Sequence, residues 1–175
     1  MGEDAFEAAV AAHHGEIYRY LLRATARASE ADDLSQETFL RAYRAWRSLP
    51  PDANVRAWLF RIATNLCRNH FRAEKRRRLA HAEVRATGTL RDEDGPEEAT
   101  LFNEARSAIE AVVDRLPLKQ RLAFILRKVH DLDYEEIAWG LECSGESARA
   151  HVFQALRKIR RSLDGHELPH AEALR

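Results

Sequence analysis

Apolar residues recur every three to four positions along most of this chain, the spacing that places them on one face of an α-helix. A first apolar stripe runs from Phe6 to Leu22, a second from Leu34 to Trp46, and a third from Trp58 to Leu66. The pair Pro50–Pro51 ends the second helix, because proline cannot continue a helix interior. The alternation of apolar and polar residues that is typical of strands is absent. The sequence therefore predicts an all-α protein.

The helical pattern stops in the middle of the chain. Residues 79–100 lack an apolar stripe and contain the acidic run RDEDGPEE, and helical spacing resumes near Leu101. We therefore predict two small helical domains, residues 1–78 and 101–165, joined by a flexible acidic linker over residues 79–100. A tail of residues 166–175 follows.

Two helix-start signals close together predict a helix-turn-helix in the second domain. Asp133 and Glu136 have the spacing of a capping box before a short helix, and Ser144 is a suitable cap for the last helix. A short helix, a turn of three or four residues and a longer helix fit the motif. The predicted buried stripe of the last helix consists of Ala148, Val152, Leu156, Ile159 and Leu163.

The formal net charge is zero, but basic side chains are concentrated in two helical segments. Residues 56–78 hold eight Lys or Arg and one acid, and residues 149–163 hold five Lys or Arg and no acid. Residues 79–104 hold seven acids and two Arg. One basic run alone is compatible with a solvated helix face. Two of them, each on an amphipathic helix, favour a polyanionic partner.

The sequence indicates neither catalysis nor a cofactor. Cys67 and Cys143 are far apart, each within an apolar stretch, which suits buried thiols in a reducing compartment. We find no zinc-ligand spacing, no glycine-rich phosphate loop and no set of nucleophile, base and carboxylate, so we expect no metal, no cofactor and no enzyme. The N-terminus lacks a secretory pattern and no apolar run has membrane-spanning length. We expect a cytoplasmic protein without membrane insertion of its own.

Two helices carry side chains suited to nucleic acid. On the last helix, an outward arginine suits guanine, a glutamine suits adenine, and Phe153 can meet a thymine methyl group. On the third helix, Asn65 carries the donor and acceptor that read a base edge, and a basic stripe with aromatic neighbours suits a single strand. The alternative is an ordinary charged exterior on both helices, with Phe60 simply part of the core.

At this point the chain resembles a known family. The strings DLSQETFLRAYRAW, from Asp33 to Trp46, and NVRAWLFRIATNLCRNHFR, from Asn54 to Arg72, resemble region two of extracytoplasmic-function (ECF) sigma factors. The string from Leu132 to Arg160 resembles region four. Both motifs occur in the family's order, with no third domain between them. The resemblance implies a factor that joins core RNA polymerase, recognises the −35 and −10 promoter elements and promotes strand opening.

The resemblance also implies a role for individual residues. In the family, region two binds the clamp helices of the polymerase β′ subunit. The positions that correspond to this contact in the present chain are Asp33, Gln36, Glu37 and Leu40. Region two also melts and reads the −10 element. The residues of this chain at the corresponding positions are Arg41, Leu49, Phe60, Arg61, Asn65, Arg68, Asn69 and Arg72. Region four contacts the β flap and reads the −35 element. The residues of this chain that would read the −35 element are Ser144, Arg149, His151, Phe153, Gln154, Arg157 and Lys158. A further implied partner is an anti-sigma factor, which can hold such a protein near the membrane.

Two rival interpretations remain open on the residues alone. A dimeric helix-turn-helix repressor or activator would explain the last helix, but not the Asp33–Glu37 face or the basic stripe of the third helix. A pure protein–protein module, such as a polymerase-binding inhibitor, would explain the acidic face but not the basic recognition helix. An enzyme is the least supported alternative, because no catalytic set is present.

Overall fold

The computed structural model describes residues 3–82 and 109–164, and every regular element within them is helical, as predicted. The N-terminal domain consists of α1 (Glu3–Thr25), α2 (Ala28–Ala45), a 3-10 turn (Trp46–Ser48) and α3 (Val55–Ala82). The C-terminal domain consists of α4 (residues 109–114), α5 (Leu118–Lys128), α6 (Tyr134–Leu141) and α7 (Gly145–Asp164). Helix α3 continues beyond residue 78, so the predicted start of the linker falls inside a helix. The remainder of the predicted linker and the 166–175 tail lie outside the described residues.

Local sequence explains where the N-terminal helices begin and end. Ala26 adopts a left-handed φ of 58° directly after α1, which turns the chain into α2. Pro50 and Pro51 separate α2 from α3 as predicted. The Asn54 side chain accepts a hydrogen bond from the Ala57 backbone N–H at 3.0 Å, which caps the start of α3.

The three N-terminal helices enclose an apolar core rich in aromatic rings. Trp46 and Trp58 lie 6.1 Å apart between ring centroids, and both are buried. The buried Tyr20 hydroxyl and the Thr64 hydroxyl, on α1 and α3, lie 2.9 Å apart and satisfy each other's hydrogen-bonding groups. Tyr43 lies at the border of the α2 stripe and is 50% exposed, and its ring meets that of Phe6 edge to face at 5.2 Å between centroids.

The C-terminal domain contains the predicted helix-turn-helix. The Glu136 backbone N–H donates to the Asp133 carboxylate at 2.8 Å, and the Asp133 N–H donates to the Glu136 carboxylate at 2.9 Å. Glu142 ends α6 in the left-handed conformation, with a φ of 50°. Ser144 Oγ then accepts from the Ser147 N–H at 3.1 Å and caps α7. The predicted capping box and serine cap are confirmed.

Helices α5, α6 and α7 pack around one small core. Ala148, Val152 and Ile159 of α7 are buried, as predicted. Leu156 was expected to be buried but is 39% exposed, which puts it at the edge of the α7 stripe. The side chain of Leu163 lies outside the described residues.

The two domains pack directly against each other, through α6 on α3 and α5 on α1. Gly140 of α6 lies at this contact, where a Cβ atom would be in ordinary van der Waals contact with the Thr64 side chain of α3, 3.5 Å from its hydroxyl. We call this packing of α5 and α6 on α1 and α3 the closed arrangement. The sequence had predicted the domains and the segment between them, but not this contact.

Candidate polymerase and nucleic-acid interfaces

Helix α2 presents the four predicted polymerase-binding residues on one outward side. Asp33 and Gln36 are exposed, Glu37 is half-buried, and Leu40 is 44% exposed. The Glu37 carboxylate accepts a hydrogen bond from Arg41 Nε at 2.6 Å, one helical turn further on. The opposite side of α2 is anchored in the core by Leu34, Ser35, Thr38 and Ala42. The outward side therefore offers an apolar centre with acidic and amide groups around it.

The basic stripe of α3 is divided by the closed arrangement. Asn69 and Arg72 are exposed, and together with Lys75, Arg76 and Leu79 they line an open groove. The positions nearer the start of α3 instead turn toward the C-terminal domain. The guanidinium of Arg61 lies 4.3 Å from the ring centroid of Trp139 on α6, a cation–π contact.

Arg68 is the most completely engaged member of the stripe, with 5% of its surface exposed. Its guanidinium donates to the Gly140 carbonyl at 3.4 Å and to the Glu142 carboxylate at 3.0 Å, both in the C-terminal domain. It also donates to the Asn65 side-chain oxygen at 3.1 Å. Three of its five N–H donors are used within the protein, and its burial leaves the guanidinium out of reach of a DNA phosphate in this arrangement.

The loop between α2 and α3 is also tied to the helix-turn-helix. Asn54 Nδ2 donates to Glu136 at 2.9 Å, so the carboxylate that closes the capping box also holds this loop. Leu49, expected near the −10 element, is half-buried at the loop start. The expected DNA contact by Phe60 does not fit the structure, because its ring is 1% exposed and packs against the rings of Tyr20 and His130.

A partly buried charge cluster fastens α1, α3 and the C-terminal end of α5 together. Arg56 donates to the carboxylate of Glu16 and, at 2.6 Å, to the His130 carbonyl. His130 Nδ1 lies 3.3 Å from the same carboxylate. The hydrogen bond from Arg56 lowers the pKa of Glu16. Burial lowers the pKa of His130, against the opposing effect of Glu16, so the imidazole is held in its neutral form.

The outward side of α7 carries most of the predicted duplex-binding residues. Phe153 is 64% exposed, and Arg157 is exposed one turn further on. The Arg149 guanidinium lies 4.9 Å from the Tyr134 ring centroid, which holds it near the start of the recognition helix. This side of α7 therefore presents an exposed aromatic ring together with two arginine side chains, an arrangement suited to a recognition helix.

Two predicted α7 residues are less available than expected. His151 is half-buried beside Lys119, and burial lowers its pKa. Its Nδ1 atom is buried and has no hydrogen-bond partner within the described ranges. Ser144 uses its hydroxyl as the helix cap. The burial of His151 comes from the packing of α7, which helical periodicity alone does not specify, whereas the Ser144 cap is the local one that the sequence predicted.

Gln154 and Lys158 belong to a polar chain that reaches α5. Lys158 Nζ donates to Gln120 Oε1 at 2.9 Å, and Gln120 Nε2 donates to Gln154 Oε1 at 2.6 Å. Gln120 is 9% exposed. Sequence reasoning missed this residue, since a single glutamine in the first turn of an amphipathic helix gives no functional signal.

The described residues show no group of three or more His, Cys, Asp or Glu placed to hold a metal ion. Cys67 is fully buried, and burial raises the pKa of its thiol to about 12, whereas Cys143 is half-buried. Within residues 3–82 and 109–164, no helix has both the length and the apolar content needed to cross a membrane.

Comparison with known proteins decides the family. Residues 9–77 match the family description Sigma-70 region 2, and residues 106–159 match Sigma-70, region 4. The RNA polymerase sigma-H factor of Pseudomonas aeruginosa is 32% identical over 167 residues, covering 91% of this chain and 86% of that protein. The ECF RNA polymerase sigma-E factor of Escherichia coli is 32% identical over 137 residues, covering 74% and 72%. This chain belongs to the ECF sigma factors.

Solved structures agree with this sigma factor's fold. Similar folds are the sigma factor RpoE of Bartonella quintana, solved with the anti-sigma factor NepR, and CnrH, solved with the cytosolic domain of CnrY. Their TM-scores are 0.73 and 0.67, at 20% and 24% identity, covering 91% and 94% of this chain and 97% and 91% of theirs. The sigma factor binds core RNA polymerase, recognises the −35 and −10 promoter elements and promotes strand opening.

Proposed function

We propose that the outward side of α2, formed by Asp33, Gln36, Glu37 and Leu40, binds the clamp helices of the polymerase β′ subunit. Its exposed apolar centre with polar neighbours supports this, because helix–helix contacts between proteins bury such a centre inside a polar rim. The C-terminal domain would contact the β flap. The residue boundaries of the two functional regions are residues 1–78 and 101–165.

The −10 element is proposed to run along α3 and the neighbouring end of α2. Asn69 and Arg72 are already exposed on α3, and Arg41 is exposed on α2. Asn65 would read a base once its side chain is released, while Arg61 and Arg68 would bind phosphates. Leu49 would border the site from the loop. We leave Phe60 out of this set, because its ring is buried.

The −35 element is proposed to be read by α7. Arg149, Phe153 and Gln154 would meet base edges, since they lie in the first half of the helix, where recognition helices enter the major groove. Arg157 and Lys158 would meet phosphates further along. Ser144 and His151 would contribute through the start of the helix and through packing, respectively.

The closed arrangement is proposed to be a state that does not bind promoter DNA. Arg61 and Arg68 are occupied by the C-terminal domain, and Glu136 and Glu142 bring carboxylates to the surface where a DNA strand would run. Strand capture therefore requires α6 to leave α3. Binding to polymerase would supply that free energy by holding the two domains at separate sites.

An anti-sigma factor is the proposed regulatory partner. The similar RpoE of Bartonella quintana was solved in complex with the anti-sigma factor NepR, and CnrH was solved in complex with the cytosolic domain of CnrY. We place the factor in the cytoplasm, where the polymerase operates, and it can be held near the membrane by that partner. The factor itself is not an enzyme, since the polymerase carries out the chemistry.

The proposed surfaces are tested by run-off transcription with bacterial core polymerase on a pool of genomic fragments. The wild-type factor should direct new, defined start sites. Gln36→Ala should reduce assembly with core polymerase, and Asn65→Ala should reduce strand opening after normal assembly. Glu7→Ala, an exposed change on α1 outside the proposed surfaces, is the matched control. Tight binding of the free protein to palindromic duplex, without any start sites, would replace these assignments by those of a repressor.

A further inference from the structure

Three side chains from α5 and α7 form a continuous hydrogen-bonded chain that ends on the surface proposed to face the −35 element. Lys158 and Gln154 are one turn apart on α7 and both are exposed. Gln120, in the first turn of α5, lies between them and is 9% exposed. The two links are 2.9 Å from Lys158 to Gln120 and 2.6 Å from Gln120 to Gln154.

The chemistry of the three groups fixes the direction of this chain. A lysine ammonium has donors and no acceptor, so the Gln120 atom beside it must be the amide oxygen. The Gln120 amide nitrogen therefore points to Gln154, and a donor there requires the Gln154 oxygen. The remaining group of Gln154, its NH₂, is left to face outward.

We infer that Gln120 is a positioning residue that makes Gln154 a hydrogen-bond donor toward the −35 element. This inference rests on the proposed role of α7 as the recognition helix. It also changes the expectation from sequence, in which a glutamine pairs with adenine through both its oxygen and its nitrogen. That pairing needs the oxygen and the nitrogen of the amide turned toward the base together, whereas the oxygen of Gln154 is turned toward Gln120, from which it accepts a hydrogen bond.

A donor at this position discriminates between bases in a defined way. In the major groove guanine offers two acceptors and thymine one, whereas cytosine offers only its N4 donor. Gln154 should therefore favour guanine or thymine over cytosine at the base it meets. The expected preference for guanine or thymine over cytosine is on the order of fivefold to tenfold. It corresponds to one hydrogen bond gained with the favoured base, where cytosine would instead place its N4 donor against the Gln154 NH₂ donor.

The substitution Gln120→Glu should reverse this preference. A carboxylate can accept from Lys158 and from Gln154 at the same time but has nothing to donate. Gln154 would then turn its NH₂ inward and present its oxygen, which favours cytosine or adenine over guanine. Gln120→Met, which keeps the approximate volume but removes both polar atoms, frees Gln154 to adopt either orientation. It should lower the preference to roughly twofold or less, because neither amide orientation remains fixed.

The test uses holoenzyme assembled from core polymerase and the full chain. The template is a promoter that the wild-type factor transcribes, randomised at each base pair of its −35 element, and transcripts are counted by sequencing. Gln154→Ala identifies the position that Gln154 reads, as the one where base preference disappears. The preference at that position is then compared among wild type, Gln120→Glu and Gln120→Met, with thermal melting to check folding.

Reversal by Gln120→Glu together with weakening by Gln120→Met supports the inference, because a purely structural role would lower transcription from all sequences alike. An unchanged preference in either folded Gln120 variant overturns it. So does a Gln154→Ala protein whose preferences match those of wild type at every position. If the wild-type holoenzyme gives no defined start sites at all, the proposed function has failed instead, and the two failures are distinguishable.

Discussion

The closed arrangement can be opened by filling the space at Gly140. A Cβ atom at this position would lie 3.5 Å from the Thr64 hydroxyl of the other domain, which is ordinary van der Waals contact. A leucine adds three further carbon atoms beyond a Cβ that already touches the Thr64 side chain. Gly140→Leu should therefore act as a wedge that forces the C-terminal domain away from the basic stripe of α3.

The size of the effect follows from the cost of overpacking. Extra methyl and methylene groups in a well-packed contact typically cost about 1–3 kcal/mol. Here only the closed arrangement bears that cost, because α6 and α3 belong to different domains and can separate. The ratio of closed to open protein should fall by about 5-fold to 150-fold. As long as the open form is the minor species, the apparent affinity for a DNA strand that binds only the open form should rise by the same factor.

The assay measures binding of the free factor to the non-template strand of a promoter that its holoenzyme transcribes. Small-angle X-ray scattering reports the radius of gyration, which should increase when the domains separate. Gly140→Ala is the matched control, since its Cβ fits beside Thr64 and alanine should stabilise α6 by about 0.5–1 kcal/mol in both states. It should leave strand affinity and radius near the wild-type values.

A folded Gly140→Leu protein with wild-type radius and wild-type strand affinity would refute this reasoning. It would mean that the two domains tolerate a leucine between α6 and α3 without separating. An increased radius of gyration without increased affinity for the DNA strand would leave the domain separation intact but contradict the proposed shielding of α3. In that case the contacts of Arg61 and Arg68 with α6 would not be what keeps single-stranded DNA from α3.

Three further predictions concern acid stability, polymerase binding and helix capping. The pKa of His130 is lowered in the folded state, so its contribution to stability should be lost as pH falls from about 6.5 through the folded pKa. The pKa of Glu16 is also lowered, so its contribution should be lost as pH falls below about 4.5. Thermal melts against pH should show a shallower acid decline in stability for His130→Asn than for wild type, and an equal slope would contradict this. Leu40→Glu should weaken core-polymerase binding by more than about tenfold, because it removes one apolar anchor from the contact. Leu40→Met should not weaken binding, and titration of labelled core enzyme measures both variants. Asp133→Ala should cost about 1 kcal/mol of unfolding free energy by removing the cap of α6, and denaturant melts unchanged within error would count against the capping box.

The separate surfaces could largely be predicted from sequence, but their availability could not. The exposure of Asp33, Gln36 and Leu40 follows from helical periodicity, because the opposite side of α2 is apolar. The engagement of Arg68 could not be predicted, since Glu142 lies 74 residues further along the chain and nothing in the local pattern pairs the two. Gln120 was missed for the same reason: its partners are on another helix.

Sequence by itself determined the helices, their caps and the order of the two domains, because these depend on side chains within a few positions of one another. The Asp133–Glu136 capping box, the Ser144 cap and the Pro50–Pro51 break are of this kind, and all are present in the structure. The tertiary structure alone decided which polar residues face solvent and which face the other domain. Burial and pairing at such positions depend on how close two surfaces come, and residues far apart in the chain, such as Gly140 and Thr64, meet only in the folded protein.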